Sequence, residues 1–454
     1  MTKILSRLAA LALICLLNPC LGTSRADDLL DLSSKATVGQ MLRVVARLEV
    51  QGGLSVQQGE KLQNLNLGVA GQLRYDERLL AMEGLQRRSV RHYEQAAAAI
   101  QIDRAKINPA LREECQLVGA DFDGTALTLF GPRTPLARDE LDLIDFPGST
   151  LLLDGLLPTE GVKRGASWQH TDAIWCGLLR LDAVAANDVT SRLVEVVSGK
   201  TAKVELAGHV DGAVDGVTTE IDVTGSYLYD LALRQITVFH LKIKEKRSIS
   251  PIGPGLDVTA NLHLEISPLP SSAALTDEAL KDLPLELATA GRDLAYQSSD
   301  SNFRCLHPRS WHVMDERPEM TVLRMVDRGE LVAQCNIATP PTSKSSDPPS
   351  LEKFQREVQQ ALGKNFGQFV QVASSTSPRG YVILHLVAVG QVSELPIEWH
   401  YYLVADRHGR QAMLAFTLEQ KLAERLAETD QEIVGSLEFL PPPAKAATLP
   451  TTTK

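Results

Sequence analysis

The sequence contains no run of 18 consecutive apolar residues, so it predicts no membrane-spanning helix. It also lacks an excess of positive charge, because 46 Lys and Arg residues stand against 56 Asp and Glu residues. Proteins that bind nucleic acids need a basic surface for the phosphates, so this class of function is disfavoured. The absence of CxxC, HxH and HExxH motifs disfavours a thioredoxin-type redox centre and the common zinc sites.

Aromatic residues are scarce at 5%, whereas hydrophobic residues make up 44% of the 454 residues. Single hydrophobic cores seldom grow beyond about 250–300 residues. A chain of this length and composition therefore predicts two or three cores in separate domains.

The first 26 residues have the composition of a secretory signal peptide. Lys3 and Arg7 precede an apolar stretch at residues 8–17, and the helix breaker Pro19 follows it. We expect cleavage after Ala26 and a secreted or periplasmic protein. Without this leader the chain carries 43 basic and 56 acidic residues, a net charge of −13.

Cys20 offers an alternative in which the chain carries a lipid anchor. Leu17 stands at the distance before Cys20 that lipid-attachment sites require. Pro19, however, occupies a position where such sites have a small, flexible residue. The sequence favours cleavage after Ala26 and leaves lipid attachment open.

Four cysteines follow the leader, namely Cys115, Cys176, Cys305 and Cys335. An even number in an exported chain predicts two disulfides, for which three connectivities are possible. Because the first two and the last two fall in separate predicted domains, we favour Cys115 with Cys176 and Cys305 with Cys335.

Residues 27–267 read as an antiparallel, β-rich domain. Apolar residues alternate with polar ones over residues 64–75, and residues 88–102 favour another strand, with a helix as the alternative because of their four alanines. Further strands are predicted at residues 189–197, 202–209, 217–231, 235–245 and 256–266. The face of the 235–245 strand without lysines should point inward. Alternatively, this domain consists of two similar β halves, about 40–131 and 166–267.

Residues 268–300 are rich in Pro and Ser at their start and predict a linker with one short helix. Residues 301–440 then interleave strands and helices, which is typical of an α+β sandwich. The elements predicted there are a helix at 350–362, strands at 380–390, 396–406 and 411–417, a turn at 407–410 and a helix at 418–428. Residues 340–349 read as an exposed loop and residues 441–454 as a disordered tail.

The stretch LVGADFDGTALTLFG contains Asp121 and Asp123 in the spelling of the nucleophile loop of haloacid-dehalogenase-type phosphatases. Such enzymes also need a lysine and an acidic pair, for which the candidates are Lys163, Lys200, Lys203, Asp211 and Asp215. That chemistry belongs to parallel sheets, whereas this region alternates with period two. Asp-Gly between alternating apolar residues is also a hairpin signal, and the pairs beginning at Asp123, Asp211 and Asp215 all fit it. The sequence therefore favours turns over a phosphatase.

Two further groups of residues have the types and spacing of a metal site and of a hydrolase triad. Cys305, His307 and His312 lie close enough for a metal site, although Pro308 and Trp311 favour an irregular entry into a strand. Ser167, His170 and Asp172 have the residue types of a hydrolase triad, but residues so close in an extended segment point to opposite faces. No catalytic, cofactor-binding or metal site is predicted from either group.

The C-terminal part resembles the PsbP-like fold. The resemblance rests on Phe303-Arg304-Cys305, Pro308-Arg309-Ser310-Trp311, residues 380–390, the string WHYYLVADRHGRQAMLAFT and the closing DQEIVGSLEF. It implies an α/β/α sandwich that acts as a non-catalytic binding or assembly module, with no catalytic residue to carry over.

The N-terminal part is similar in outline to the lipid-carrying half-barrels of the bacterial envelope, and LLPTEGVKRGASW leading into a long meander is the best part of this match. The predicted fold class is therefore α+β, with a large, curved, mainly antiparallel sheet followed by a PsbP-like sandwich.

These features predict an exported, non-catalytic binding or scaffold protein of the cell envelope that acts through protein interaction. A carrier of lipid or another hydrophobic ligand is the first alternative, because a curved sheet with an apolar face can shelter such a ligand. A phosphatase is the second alternative. No cofactor is predicted, and the expected partner is an envelope protein or a hydrophobic ligand whose identity stays open.

Overall fold

The computed structural model describes residues 29–59, 61–286, 289–298, 302–340 and 349–441. The predicted signal peptide with Cys20, residues 341–348 of the predicted loop and residues 442–454 of the predicted tail lie outside the described residues.

The first part of the chain forms one antiparallel sheet, named the large sheet. Its strands are β1 (Met41–Gln58), β2 (Lys61–Glu83), β3 (Gln86–Ile102), β4 (Ala105–Ile107), β5 (Leu117–Phe122), β6 (Leu127–Phe130), β7 (Ser167–Gln169), β8 (Ala183–Asn187), β9 (Thr190–Val197), β10 (Thr201–Val214), β11 (Val217–Asp230), β12 (Gln235–Arg247) and β13 (Gly255–Pro268). The strand order is β6-β5-β3-β2-β1-β13-β12-β11-β10-β9-β7, with β4 beside β3 and β8 beside β10. The chain moves outward from β1 to β6, crosses over, and returns inward to β13.

Alternating apolar residues give this sheet one buried face. Leu73 and Tyr75 on β2 are buried, as are Phe239 and Leu241 on β12, whereas Lys242 is exposed. Period-two alternation places such residues on opposite faces of a strand. The prediction that the face without lysines points inward is confirmed, and β3 confirms the strand interpretation of residues 88–102.

Of two Asp-Gly turns predicted in this region, one is present and the other is not. Asp215-Gly216 forms the two-residue turn between β10 and β11, as predicted. The prediction of a turn at Asp211-Gly212 is wrong, because both residues lie inside β10. A side-chain carbon at Gly212 would lie 2.8 Å from the carbonyl oxygen of Ala183 and from Leu181, so glycine is used here for close approach.

Short helical segments cover the buried face of the large sheet. They are α1 (Arg138–Ile144), the 3-10 helix Thr150–Leu156 and α2 (Asp172–Leu179). Leu152, Leu153, Trp175 and Leu178 from these segments are at most 2% exposed. They form one continuous core with the apolar side chains of the strands.

The segment between the two parts of the chain is packed against the large sheet. It contains the 3-10 helix Ala273–Leu275, α3 (Asp277–Leu280) and the 3-10 helix Thr289–Arg292. Leu275 and Leu280 form a small separate core with Val90 and Leu117 of the large sheet. Arg78 donates to the carbonyl oxygen of Leu275 at 2.8 Å. This segment therefore acts as a strap across the sheet.

The last part of the chain contains two further antiparallel sheets. Its elements are β14 (Leu294–Gln297), β15 (Phe303–His307), β16 (Trp311–Arg317), β17 (Met320–Asp327), β18 (Glu330–Ala338), α4 (Leu351–Leu362), β19 (Phe366–Thr376), β20 (Val382–Val392), β21 (Leu395–Ala405), β22 (Gln411–Glu419), α5 (Ala423–Leu426), α6 (Thr429–Ser436) and β23 (Glu438–Phe439), with 3-10 helices at Gly363–Asn365 and Gln420–Leu422. One sheet has the order β14-β15-β23, and the other has the order β16-β17-β18-β22-β21-β20-β19.

Helices cover both faces of the seven-stranded sheet, and this unit is named the sandwich. Phe354 and Val358 of α4 pack on Leu384 and Leu386 on one face. Ile433 and its neighbours on α6 pack in the core of the other face. The predicted fold class, a large antiparallel sheet followed by an α/β/α sandwich, is confirmed.

The C-terminal elements correct one prediction. A helix was expected at residues 418–428, but β22 continues to Glu419 because Leu418 pairs with Ala333 and Glu398 of the neighbouring strands. Only residues 423–426 of that stretch are α-helical. The longer helix, α6, begins at Thr429.

The four described cysteines are free thiols, so neither predicted disulfide is present. The Cys176 thiol donates to the carbonyl oxygen of Leu181 at 2.9 Å. Burial raises the pKa of Cys115 and of Cys305 to about 12, which keeps both in the unreactive thiol form.

Among the described residues, no helix combines the length and the apolar character that a membrane crossing requires.

Candidate functional site

The buried side of the large sheet is filled by side chains of the protein itself. A small cavity between the 3-10 helix at residues 150–156 and the inner faces of β1, β2, β12 and β13 has a volume of about 70 Å³. Ligand pockets usually measure about 300–1,000 Å³. This cavity is therefore too small for an acyl chain.

The aspartates of the phosphatase-like motif have structural partners. Asp121 on β5 forms an ion pair with Arg88 on β3 at 2.9 Å. Asp123 turns the chain between β5 and β6: its Oδ1 accepts hydrogen bonds from the amides of Thr125 and Ala126 at 2.8 and 2.9 Å. These contacts lower the pKa of Asp123. The turn predicted at Asp123 is present.

The other residues of that motif are not brought to it. Asp211 lies on β10, which six strands of the large sheet separate from β5. Asp211 contacts His209 instead, at 3.1 Å. Lys203, on the same strand, forms an ion pair with Glu205. The antiparallel sheet therefore assembles no phosphatase site from these residues.

The residues of the possible hydrolase triad form no triad, because His170 and Asp172 hydrogen-bond to other residues. Ser167 on β7 is exposed. The His170 Nε2 atom lies 2.8 Å from the hydroxyl of Ser191, and Asp172 accepts a hydrogen bond from Asn187. Burial lowers the pKa of His170 to about 4. His170 is thus a buried, neutral core residue.

Cys305, His307 and His312 do not form a metal-ligand cluster among the described residues. The ring of His307 hydrogen-bonds through Nδ1 to the carbonyl oxygen of Pro308 at 3.0 Å. Burial lowers the pKa of His307 and of His312 to about 4, so both are neutral at physiological pH.

A cleft between the large sheet and the last part of the chain is wide enough for a ligand. It has a volume of about 960 Å³. One wall comes from α1 and the loop before it, and the other from β14, β15 and the end of α6. Its volume lies within the range of known ligand sites, and interfaces between domains are a common place for them.

Direct contacts across the interface fix the walls of this cleft. The amide of Ala295 donates to the carbonyl oxygen of Leu136 at 2.8 Å, and this joins β14 to the segment before α1. Arg138 of α1 donates to the carbonyl oxygen of Arg309 at 2.6 Å. Arg309 in turn donates to the carbonyl oxygen of Leu129 at 2.5 Å.

Two β-turns touch at another point of the same interface. A side-chain carbon at Gly216 would lie 2.0 Å from the nitrogen of Gly329, in the turn between β17 and β18. The two backbones are therefore so close that a Cβ atom at Gly216 would clash with the backbone of Gly329.

Most charges in the cleft are already paired. Arg112 binds both carboxylate oxygens of Glu140, at 2.7 and 2.8 Å. Arg304 donates twice to Glu438 across the three-stranded sheet, at 3.0 and 2.9 Å. Such pairs stabilise the walls and leave little charge for a ligand.

Asp139 and Asp142, one turn apart on α1, form no ion pair within the described part of the chain, and neither does Arg138 beside them. Among the described residues, no lysine or arginine forms an ion pair with either carboxylate. Both side chains are exposed. Burial by neighbouring atoms raises the pKa of Asp142 to about 6, although Arg138 acts in the opposite direction. The cleft therefore presents two unpaired acidic groups that would be stabilised by a positively charged group.

The cleft could not be predicted from the sequence. The cleft residues are spread from Ala110 to Glu438 and come together only through the interface. The one local signal was the run Asp139-Glu140-Leu141-Asp142, in which Leu141 and Ile144 face the core and Asp142 faces outward.

No family model matches the chain, and no curated protein matches it. Among solved structures, the cyanobacterial PsbP (CyanoP) from Synechocystis sp. PCC 6803 is 12% identical with a TM-score of 0.27, and the match covers 34% of this chain and 97% of that chain. The Ran-binding protein Mog1p of Saccharomyces cerevisiae is 11% identical with a TM-score of 0.26, over 33% of this chain and 95% of that chain. Lipovitellin is 9% identical with a TM-score of 0.28, over 52% of this chain and 26% of that chain. Values at this level assign the chain to no family and to no activity.

Proposed function

We propose that this protein is a non-catalytic binding or scaffold protein of the cell envelope, and that it holds a basic segment of a partner protein in the cleft between the large sheet and the sandwich. The observation that carries the proposal is the cleft itself, with its volume of about 960 Å³ and its unpaired Asp139 and Asp142. The envelope location rests on the leader expected at residues 1–26.

The chemistry of the cleft suits a peptide segment, which offers apolar, polar and charged groups together. Its walls carry charged and hydrogen-bonding side chains, including Tyr296, Gln297 and His307. A lysine or arginine of the partner would neutralise Asp139 and Asp142, whose carboxylates repel each other while they are unpaired. Binding should therefore weaken as the salt concentration rises.

Site-specific photo-crosslinking in intact cells tests this proposal. A photoreactive residue at position 142 should yield a discrete crosslinked product, whereas the same residue at Asp257, which is exposed on the large sheet, should not. The same product from both positions, or none from either, would contradict the proposal.

Charge variants then separate the cleft from general surface charge. Asp139→Asn combined with Asp142→Asn should reduce the recovery of the partner by about tenfold, because each neutralised contact costs roughly 0.5–1 kcal/mol. Glu220→Gln combined with Asp257→Asn makes the same change in net charge at exposed positions of the large sheet and should leave recovery unchanged.

The lipid-carrier alternative has a separate test. Native mass spectrometry of the mature protein should show the bare chain, since the buried side of the large sheet is filled. Added mass in steps typical of lipids would instead favour the carrier.

A further inference from the structure

A cluster of histidine and carboxylate side chains lies under α6 in the sandwich, away from the cleft. His385 is on β20, His400 and Tyr402 are on β21, and Asp430 is in the first turn of α6. The antiparallel register places His385 directly opposite Tyr402, and their rings stack with centroids 4.0 Å apart. One ligand atom from each of His385, His400 and Asp430 lies within 4.8 Å of the other two.

His385 and Asp430 are buried and incompletely hydrogen-bonded. Asp430 is 1% exposed and His385 is 9% exposed. The Nε2 atom of His385 and the Oδ1 atom of Asp430 have no hydrogen-bond partner among the described residues. Buried polar atoms without a partner are rare because they lose their contacts with water and gain nothing in return. Two such atoms in one cluster point to a ligand that satisfies both.

The remaining atoms of the cluster are well ordered by hydrogen bonds. The Nδ1 atom of His400 lies 2.6 Å from Oδ2 of Asp430, and its Nε2 atom lies 2.8 Å from Oε1 of Glu398. The hydroxyl of Tyr402 donates to Oδ2 of Asp430 at 2.7 Å. The imidazole of His400 is therefore held between two carboxylates.

The electrostatics of the cluster suit a cation. The Nε2 atom of His385 has no hydrogen-bond partner among the described residues, so it is free to offer a lone pair to a cation. Among the described residues, no lysine or arginine forms an ion pair with Asp430 or Glu398, and His400 contacts both carboxylates. Two carboxylates thus surround one positive charge at most.

We propose that His385, His400 and Asp430 bind a divalent transition-metal ion, for which Zn²⁺ is the best fit. Nitrogen and carboxylate oxygen are common zinc ligands. The ion would bind the two atoms without partners, Nε2 of His385 and Oδ1 of Asp430, together with Nδ1 of His400 in place of its proton, and its two positive charges would balance the carboxylates of Asp430 and Glu398.

Glu398 completes the arrangement by orienting His400. Histidines that bind metals commonly donate their other ring N–H to a carboxylate, and Glu398 already occupies that position at Nε2 of His400. Gln371 lies 3.5 Å from Nδ1 of His385 and is placed to do the same through its amide oxygen after rotation of the amide. Three protein ligands leave one tetrahedral position for a water molecule.

Metal titration of the full chain tests this site. Wild-type protein, freed of metal by a chelator, should bind one equivalent of Zn²⁺ in competition with a chromophoric chelator. His385→Gln and Asp430→Asn should each weaken binding by about 100-fold, and Glu398→Gln by about 10-fold. The matched control is His408→Gln, an exposed histidine in the turn between β21 and β22, which should bind as wild type does.

A second readout protects the test against variants that fold poorly. Co²⁺ in place of Zn²⁺ should give the visible absorption bands of four-coordinate cobalt in the wild type and in His408→Gln, and should lose them in His385→Gln. Zn²⁺ should also raise the melting temperature of the wild type but not of His385→Gln, because only a ligand that binds the folded state stabilises it. Absence of stoichiometric binding by folded wild-type protein, or equal binding by wild type and His385→Gln, would overturn the proposal.

Discussion

The large sheet and the sandwich each bury a network built around one carboxylate, Glu77 and Asp430, and the two carboxylates are hydrogen-bonded to different extents. Under the large sheet, Oε1 of Glu77 accepts hydrogen bonds from Arg91 and Ser89, each at 2.8 Å, and Oε2 accepts from Thr150. In the sandwich, Asp430 and His385 each keep one atom without a partner. Burial of charge therefore does not by itself mark a functional site, whereas two atoms without partners in one cluster of metal-ligating residues point to a ligand.

We expect the largest loss of stability from a substitution that leaves the buried Glu77 carboxylate of the large sheet without its cation. Arg91→Met removes the guanidinium, which is only 2% exposed, and leaves the Glu77 carboxylate buried without its cation. We expect a loss of about 3–5 kcal/mol in the free energy of unfolding, measured by urea denaturation.

The double variant Arg91→Met with Glu77→Leu provides the control. Replacing both partners of a buried ion pair by apolar residues is often close to neutral. The double variant should therefore recover most of the lost stability, and a double variant as unstable as Arg91→Met would contradict this account of the network.

A second buried polar pair of the large sheet predicts a dependence on pH. His170 keeps its pKa at about 4 in the folded protein, against about 6.5 when unfolded. Between these values the unfolded chain binds the additional proton, so the free energy of unfolding falls as the pH decreases from about 6.5 to 4, by up to about 3 kcal/mol.

His170→Gln removes this titration and keeps a polar group beside Ser191. Its unfolding free energy should decline less steeply over the same pH range than that of the wild type, as measured by urea denaturation at successive pH values. Parallel pH profiles for the two proteins would show that His170 does not carry the effect. His408→Gln changes an exposed histidine and should follow the wild type.

The contact between the two regions predicts a smaller change. Gly216→Ala strains a turn residue with a φ of +72° and places a carbon against the backbone of Gly329. The strain alone costs about 1–2 kcal/mol. The additional clash should separate the two turns and widen the cleft, which small-angle X-ray scattering would detect as a larger radius of gyration.

Gly199→Ala is a matched control for this change. Gly199 follows a residue with positive φ in the turn between β9 and β10, has a φ of +66° itself, and has nothing within 4 Å of its missing side chain. It should show the same strain without a change in the radius of gyration. Equal scattering from all three proteins would mean that the contact between the turns does not hold the cleft.

We expect the smallest loss of stability at Asp123, an exposed carboxylate whose hydrogen bonds are to its neighbours in the turn. Asp123→Ala removes the acceptor of the turn between β5 and β6 and should lower the free energy of unfolding by about 1 kcal/mol. Asp123→Asn keeps an acceptor and should lose less, with thermal denaturation as the measurement. A loss of several kcal/mol would show that this turn has partners beyond its local hydrogen bonds.

The fold could be predicted largely because its signals are local. Alternation along β2 and β12, the turn at Asp215-Gly216 and the helix predicted at residues 350–362 each involve residues close in sequence. The fold class follows from such signals. The mistaken turn at Asp211-Gly212 shows their limit, because a glycine in a strand looks like a turn until its neighbours are known.

The sites could not be predicted in the same way. Asp142 becomes part of a cleft only because β14 packs beside the segment before α1, and nothing in the residues around Asp142 encodes that contact. His385 and His400 come together through the hairpin of β20 and β21, and Asp430 through the packing of α6. The disulfide prediction did not succeed for a related reason, since spacing along the chain does not show which thiols meet.

The strand order of the large sheet has a consequence for folding kinetics. Neighbouring strands on each side of the sheet are mostly joined by short turns, so each side can form early from contacts between residues close in sequence. The pairing of β1 with β13 joins Leu42 to Pro268 and must wait until the whole intervening chain is ordered. We therefore expect this seam to close late and to set the folding rate. Leu42 and Pro268 lie far apart in sequence but pair in the centre of the folded sheet, so a covalent link between β1 and β13 should make folding faster.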